Sequence, residues 1–535
     1  YLYDKGGNIV AIQFENELVD NAEHLLALKE LALSIGYHAP IYTVTGWNNI
    51  YGARIPVDEV LPVFSAYVEA PWAESIKKLP LSKHYAFDPI PNDCAMGMDL
   101  TKLIDSDGWR LPYERYPFAT CELGAGLQMT HHRRVIVTGM DVYAMSLVKL
   151  GCGNNLIGYY MYHGGNNKIG KLSTFEENTA TGYPNNLTVM NYDFQTCLSS
   201  YGEARDQYEL LNILHLFVND QEEALARMEH VPAKVFIPET DLEHLRYCMR
   251  TDGHSGFIFV NHYQRQAKCK DLSDVVFTYG DVTFPALDVK GDNSFILPFH
   301  LECFKWATAQ YLCKQDDTYF FMEIPGIKPQ FCLESGEAFT ASAGDILEGA
   351  FGRIVVLSME EARKLRRLDG KIYIGEGVNL YLMDGKVCSI EDGDFNYRKW
   401  EKDHFSLLKC KQEGLLKEEA LKAPSVLTMT DCDAPFALPY PDELQYGYPE
   451  SPVRKARRIR YKKLSVSGSY GFVEIMEDYD TAQIYADGLL IADHFYSGLA
   501  WRLPAGLLYD KECYLVMSER RRDIYLEDLE SVYGL

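Results

Sequence analysis

The sequence lacks a long hydrophobic run and is poor in basic residues. No stretch of about 20 apolar residues occurs in it, so no membrane-spanning helix is expected. Lys and Arg number 52 against 76 Asp and Glu, which gives the 535 residues a formal charge of −24. A surface of this sign repels a polyanion, which argues against nucleic acid as a partner and agrees with a neutral substrate.

The 13 cysteines lack CxxC spacing and paired histidines nearby, which argues against a zinc ribbon. Their odd number argues against a complete disulfide framework, so a cytoplasmic location is expected. The chain begins with Tyr1 rather than Met and almost on a strand, so we expect its natural start to be missing. The length is too great for one core, and about two to four domains are expected.

Residues 6–17 run from a glycine pair through an apolar segment into a cluster of polar side chains. Residues 9–12 show no polar alternation, which is typical of a parallel strand covered on both faces. Carboxylates at the carboxyl end of such a strand occupy the place where barrel enzymes keep their catalytic groups, although a solvated strand end is the alternative. The polar residues at this end are Gln13, Glu15, Asn16 and Glu17.

Strand and helix patterns alternate through the first 220 residues, which predicts a parallel sheet. The predicted strands begin near residues 9, 41, 63, 117 and 155. A second carboxylate, Glu122, lies at the end of the fourth predicted strand. Three helices are expected: one after a candidate capping box of Asp20 and Glu23, one from about Arg133 to Leu150, and one around residues 208–217. Residues 131–134, at the start of the second helix, are expected to form a solvated face.

The motif Gly-Gly-x-Ile-Val-x-Ile-Gln-x-Glu-Asn-Glu at residues 6–17 resembles the active-site signature of glycoside hydrolase family 35, which includes many β-galactosidases. Asn8 is a departure, because the family usually has Pro there. The resemblance implies that Glu17 is the catalytic acid/base, that Asn16 holds a sugar hydroxyl and that Glu122 is the nucleophile.

In that family these two carboxylates stand at the ends of strands four and seven of an eight-stranded (β/α)8 barrel. Glu17 and Glu122 lie three predicted strands apart, which agrees with that spacing. The resemblance therefore implies that this sequence contains strands four to eight of the barrel, without strands one to three.

Two later segments also resemble the family. Residues 159–167 are similar to its strand-eight segment, which places a sugar-contacting aromatic at Tyr160. Residues 191–195 are similar to its Ser-Tyr-Asp-Tyr-Asp motif, which makes Tyr192 a candidate sugar contact. Phe194 and Gln195 replace the second Tyr and the second Asp of that motif. Core packing is the alternative for both tyrosines.

Three further residues are candidate substrate contacts. Glu15 lies two residues from Glu17, hence on the same side of a regular strand, and is assigned a supporting contact. Trp47 and Trp72 stand at the ends of predicted strands, where an aromatic face can stack on a pyranose. Either tryptophan could equally fill space beneath the loops.

The domain organisation predicted from these patterns has four parts. Residues 1–220 form the C-terminal part of a catalytic TIM barrel, and residues 221–412 form one or two β-sandwich domains. Residues 413–455, rich in Pro, Glu and Lys, form a connector. Residues 456–535 form a jelly-roll-like domain, which resembles the family's C-terminal segment and contains a hairpin with a tight Asp487-Gly488 turn.

The predicted function is a retaining glycoside hydrolase that releases terminal non-reducing β-D-galactose from an oligosaccharide or glycan. One carboxylic acid protonates the leaving oxygen and the other carboxylate attacks the anomeric carbon, without metal or organic cofactor. The alternatives are an exo-β-glucosaminidase of the same family and a non-catalytic carbohydrate-binding or scaffold protein. The missing strands and Phe194 favour the latter, and intact Glu17 and Glu122 speak against it.

Overall fold

The structure is a computed structural model dominated by β-sheets. It describes residues 1–18, 21–44, 54–70, 73–88, 112–170, 175–178, 183, 185–391, 393–410, 425–436 and 458–527. Within these ranges, every helix is too short or too polar to cross a lipid bilayer.

The N-terminal part contains a sheet in which every neighbouring pair of strands is parallel. Its strands follow in chain order and are labelled β1 to β5: Ile12–Asn16, Ile41–Val44, Leu61–Ala66, Ala119–Gly124 and Leu156–Tyr160. The parallel arrangement expected for these strands is thereby confirmed. The expectation of a strand over residues 9–12 covered on both faces is wrong, because β1 begins at Ile12, lies at the edge of the sheet and leaves Ile9 and Val10 exposed. Over the described residues the sheet stays open, with β1 and β5 at its edges, and it does not close into a barrel.

Burial follows the position of each strand in the sheet. The central strand β3 is buried along nearly its whole length, because it has a neighbour on each side. The edges keep apolar side chains in solvent, including Val10 at 64% exposure beside β1 and Leu156 at 55% in β5. An open edge of this kind presents unpaired backbone groups beside apolar surface.

Helices are short and few in the described residues. Those that pack near the parallel sheet are labelled α1 to α3: Ala22–Ser34, Gly139–Gly151 and Asp206–Asp220. The others are Glu222–Arg227, Met359–Lys364 and Ala505–Leu508, with 3-10 turns at Tyr3–Lys5, Lys83–Tyr85 and Tyr113–Arg115.

The start of α2 corrects the sequence-based expectation of a solvated helical face at residues 131–134. The helix begins at Gly139, after Thr138, which forms a capping box with Asp141. Arg133 and Arg134 lie instead in a two-residue strand paired with Tyr525–Leu526, and their exposures are 3% and 0%. The run of charged residues predicted a solvated face, but both guanidinium groups are paired with carboxylates from distant parts of the chain, Glu69 and Asp480.

The cap of α1 also differs from the expected Asp20 and Glu23 box. The side chain of Asn21 accepts a hydrogen bond from the backbone N–H of His24. Asp20 lies outside the described residues.

Antiparallel sheets follow the parallel sheet along the chain. The largest has the spatial order Ala338–Thr340, Gln330–Leu333, Phe304–Ala307, Ser294–Leu301, Gly256–Asn261, Arg246–Thr251 and Glu229–Pro232. A second sheet contains Gln310–Gln315, Thr318–Met322, Gly352–Leu357 and Ile346–Gly349, with one parallel pair. A third contains Leu365–Leu368, Lys371–Gly375, Phe395–Glu401 and His404–Cys410.

Smaller ladders complete this region. They pair Leu272–Val275 with Leu287–Val289, Thr278–Tyr279 with Val282–Thr283, and Leu380–Met383 with Lys386–Ser389. The main apolar core joins α2 and α3 to the antiparallel sheets through side chains such as Leu147, Phe217, Phe257 and Phe320.

The C-terminal sheet has the order Leu427–Cys432, Ile459–Val466, Cys513–Ser518, Thr481–Ala486 and Leu489–Phe495. A ladder of Phe472–Ile475 with Trp501–Pro504 accompanies it. Positive φ angles of 49° and 80° at Asp487 and Gly488 form the tight turn expected there. The strand Leu427–Cys432 falls inside the predicted connector, and 411–424 and 437–457 lie outside the described residues.

Candidate active site

Glu122 lies on β4, and its carboxylate contacts residues of β3. Its Oε2 atom accepts a hydrogen bond from the Ser65 hydroxyl at 3.1 Å and a longer one from the Tyr67 hydroxyl at 3.4 Å. Ser65 is opposite Glu122 in the strand register, and Tyr67 directly follows β3. Burial raises the pKa of Glu122 above its usual value, and the two hydroxyl groups oppose that shift.

Glu17 directly follows β1, at the carboxyl end of the strand, with a positive φ of 56°. Its side chain is partly buried. Burial is the main cause that raises the pKa values of Tyr67, Cys121 and Tyr183, and the charge of Glu17 adds to the rise in all three. Glu17 is therefore electrostatically coupled to the ends of β3 and β4.

Tyr67 and Cys121 connect the two carboxylates. Burial and then the charge of Glu122 raise the pKa of both groups, and Glu17 acts in the same direction. Together these causes raise the pKa of the Cys121 thiol to about 12. Glu17 and Glu122 therefore both act electrostatically on Tyr67 and Cys121.

A chain of hydrogen-bonded hydroxyl groups begins at the end of β5. The Tyr160 hydroxyl at the end of β5 is 3.1 Å from the Tyr192 hydroxyl, which donates to Glu177 Oε1 at 3.1 Å. The ring of Tyr160 stands edge-on to Tyr67, with ring centroids 6.5 Å apart. Burial raises the pKa of Tyr160, the hydrogen bond with Tyr192 opposes the rise, and the charges of Glu177 and Glu122 add to it.

Glu177 contributes a third carboxylate to the site. Burial raises its pKa, and the hydrogen bond from Tyr192 opposes the rise. Its Oε2 atom is buried and has no hydrogen-bond partner among the described residues. A carboxylate in this state favours its neutral form more than a solvated one does.

Glu15 and Asn16 have surroundings different from those of Glu17. Glu15 is exposed, and its Oε1 atom lies 2.8 Å from Nε2 of His24 on α1. Asn16 is also exposed, and its Oδ1 atom accepts a hydrogen bond from Gln13 at 3.1 Å. The positive φ of Glu15, 57°, and a register shift between Gln13 and Asn16 break the regular alternation from which a shared face was predicted for Glu15 and Glu17.

The two residues that depart from the Ser-Tyr-Asp-Tyr-Asp motif have structural contacts. Phe194 is buried, with its ring 5.6 Å from Tyr160 and 4.8 Å from Tyr192. The Gln195 amide donates to the carbonyl groups of Leu127 and Val135 at 3.1 and 3.0 Å. Phe194 therefore packs against both tyrosines, and Gln195 fixes the motif to the segment that follows β4.

The remaining candidates, Trp47 and Trp72, lie outside the described residues. Sequence reasoning missed Ser65, Tyr67 and Glu177 as members of the site. Tyr67 had a detectable signal, because it stands at the end of a predicted strand, as Glu122 and Tyr160 do. Glu177 had none, since it lies in an irregular segment and approaches Tyr192 only through the fold.

The site combines carboxylates with tyrosine hydroxyls in a partly dry environment. Such groups can donate or accept a proton, attack an electrophilic carbon and bind hydroxyl groups. No group of three or more His, Cys, Asp or Glu side chains that could hold a metal ion occurs in the described ranges.

No protein-family model and no curated protein matches the chain.

Proposed function

We propose that the protein is a retaining glycoside hydrolase that releases terminal β-D-galactose from β-galactosides. One observation supports this most directly: Glu17 follows β1 and Glu122 lies on β4 of the same parallel sheet, and both carboxylates act electrostatically on Tyr67 and Cys121. Hydrolysis of a glycosidic bond needs two carboxyl groups that flank it. The motif around Glu17 resembles the signature of glycoside hydrolase family 35, and galactose is proposed as the substrate sugar because of that resemblance.

In this proposal Glu122 attacks the anomeric carbon, because the Ser65 and Tyr67 hydroxyls favour its ionised form. Glu17 protonates the leaving oxygen and then deprotonates the water that hydrolyses the glycosyl-enzyme intermediate. Tyr160 and Tyr192 contact the terminal sugar. The reaction requires no metal or organic cofactor.

The proposed fold of this region is a (β/α)8 barrel in which β1 to β5 correspond to strands four to eight. The exposed apolar side chains at the edges, such as Val10 and Leu156, support it, since neighbouring strands cover such positions in a closed barrel.

A second candidate substrate is a terminal β-glucosaminide. Glu177 favours it, because a third carboxylate beside Tyr160 and Tyr192 can bind a protonated sugar amine. The comparison of nitrophenyl β-galactoside with nitrophenyl β-glucosaminide decides between them. If the parent prefers the glucosaminide and its turnover of that substrate falls in Glu177→Gln, glucosamine replaces galactose as the proposed terminal sugar.

The first test is hydrolysis of nitrophenyl β-galactoside by the parent chain, Glu122→Gln, Glu17→Ala and Glu30→Gln. We expect the first two variants to lose about 100-fold or more in kcat, because each lacks one of the two carboxylates. Glu30 is an exposed carboxylate on α1, so Glu30→Gln is the matched control and should retain parental activity.

Azide separates the two roles. It attacks without a general base, so it should restore turnover to Glu17→Ala by forming a glycosyl azide, and it should not restore Glu122→Gln. Parental activity in both variants would rule out the two-carboxylate mechanism.

A further inference from the structure

Asp493 joins the C-terminal sheet to the segment that carries Tyr192. It lies on the strand Leu489–Phe495 and is 3% exposed. Its Oδ2 atom accepts a hydrogen bond from the Val189 N–H at 2.6 Å, and its Oδ1 atom accepts one from the Asn191 N–H at 2.8 Å. The Met190 N–H donates to both oxygens, at 3.2 and 3.1 Å. Three consecutive backbone donors therefore converge on one buried carboxylate.

The segment held in this way has little regular structure of its own. Asn191–Tyr192 forms a ladder of only two residues with Gly165–Asn166. Additional support comes from side chains that bind the Asn191 carbonyl, namely Thr188 Oγ1 at 2.7 Å and Gln128 Nε2 at 3.0 Å. The N–H groups of residues 189–191 depend on Asp493, so the carboxylate orients the backbone immediately before Tyr192.

A second segment of the site also approaches Asp493. Glu176 is buried beside it, and burial together with the charge of Asp493 raises the pKa of Glu176 to about 9. The next residue, Glu177, binds the Tyr192 hydroxyl. Burial raises the pKa of Asp493 to about 6, against the effect of the backbone N–H groups, which favour its charge. Asp493 thus binds the segment before Tyr192 directly and acts electrostatically on the segment that carries Glu177.

The C-terminal sheet also contacts the parallel-sheet region at places away from Asp493. Arg134 donates to Asp480 Oδ1 at 3.1 Å and to the Asp480 carbonyl at 2.9 Å. Arg502 pairs with Glu203 at 2.7 Å on the more exposed side of the contact.

We propose that Asp493 is a positioning residue of the candidate active site, through which the C-terminal domain holds Tyr192 in its sugar-binding orientation. This inference rests on the proposed glycosidase function. It assigns the C-terminal domain a role in substrate binding without any contact between that domain and the sugar.

The test compares Asp493→Asn with the parent and with Arg502→Ala, which removes an ion pair across the same contact. The amide keeps the size of the side chain and loses the charge that binds the three N–H groups. We expect Asp493→Asn to raise KM for the nitrophenyl glycoside about tenfold with a smaller change in kcat. Arg502→Ala should leave KM unchanged.

The same comparison in a Tyr192→Phe background separates positioning from general stability. If Asp493 acts through the Tyr192 hydroxyl, the effect of Asp493→Asn on KM should shrink to less than about twofold there. An equal effect in both backgrounds, or an unchanged KM in Asp493→Asn, would overturn the inference.

Amide hydrogen exchange gives a readout that needs no turnover. Exchange at residues 189–192 should be about tenfold faster in Asp493→Asn than in the parent, with exchange on the distant strand Gly256–Asn261 unchanged. Unchanged exchange at 189–192 would overturn the inference. A parent chain that hydrolyses neither nitrophenyl glycoside would overturn the proposed function alone, since the exchange comparison does not depend on catalysis.

Discussion

Burial and hydrogen bonding act in opposite directions on Glu122. The partly dry position disfavours its charge, and the Ser65 and Tyr67 hydroxyls favour it. A nucleophile must be ionised, so the balance between these effects sets the acid limit of the reaction. Because its pKa lies above the usual carboxylate value, activity should fall on acidification at a higher pH than a solvated glutamate would require.

Tyr67→Phe should move that acid limit further upward. Loss of the hydroxyl removes one group that favours the charged form, so the pKa of Glu122 should rise and the acid limb of kcat/KM against pH should shift up by about one pH unit or less. Tyr514→Phe is the matched control, because its hydroxyl donates to Glu512 at 2.8 Å on the exposed surface. A limb that moves to lower pH in Tyr67→Phe would contradict the assigned hydrogen bond.

The segment that follows β4 passes unusually close to the motif around Tyr192. A Cβ atom on Gly126 would lie 2.1 Å from the Phe194 carbonyl oxygen, a separation that no side chain tolerates. Phe194 and Gln195 themselves have positive φ angles of 56° and 51°. The close approach lets the Gln195 amide reach the Leu127 carbonyl, so Gly126 is needed for contact between two elements of the site.

Gly126→Ala should therefore destabilise the protein by about 1 to 3 kcal/mol, because the added methyl group forces the backbone of residues 194–195 to move. Gly165→Ala is the matched control, since a Cβ atom there meets nothing within 4 Å. Urea unfolding of the two variants beside the parent measures the difference. Equal stability of both variants would show that the segments can separate without cost.

Buried ion pairs tie distant parts of the whole molecule together at Arg265. Its guanidinium group lies 2.7 Å from Glu527, 3.2 Å from Asp141 and 3.4 Å from Glu69. All of these residues are almost completely buried. The acidic residues lie at position 527, at the start of α2 and in the loop after β3, so Arg265 lies among three carboxylates that would otherwise repel one another. Glu69 also pairs with buried Arg133 at 2.8 Å.

Arg265→Met should lower the free energy of unfolding by about 3 to 5 kcal/mol, because it leaves Asp141 and Glu527 buried without their cation. Arg227→Met should change it by about 0.5 kcal/mol or less, since Arg227 is 78% exposed in its pair with Glu223. Thermal and urea unfolding at pH 7 measure both changes. A loss in Arg265→Met no larger than in Arg227→Met would show that the carboxylates take up protons or water without penalty.

Much of the parallel sheet could be predicted from the sequence. Short segments rich in apolar and aromatic residues mark β2 to β5, because such side chains are typical of strands. The apolar run at residues 9–12 indicates β1 less accurately, since that strand begins only at Ile12. The same runs place Glu17 and Glu122 near the carboxyl ends of strands, and the Asp487-Gly488 turn is encoded by two adjacent residues. These features depend on neighbours along the chain, so the sequence by itself determined them.

Only the tertiary structure decided which groups surround the carboxylates. Ser65 and Tyr67 reach Glu122 across neighbouring strands, and Glu177 reaches Tyr192 from an irregular segment. The burial of Arg134 beside Asp480 joins residues 346 positions apart, and no local pattern distinguishes such an arginine from a solvated one. The physical reason is that a polar group becomes stable in the interior only when its partner arrives, and the fold brings the partner.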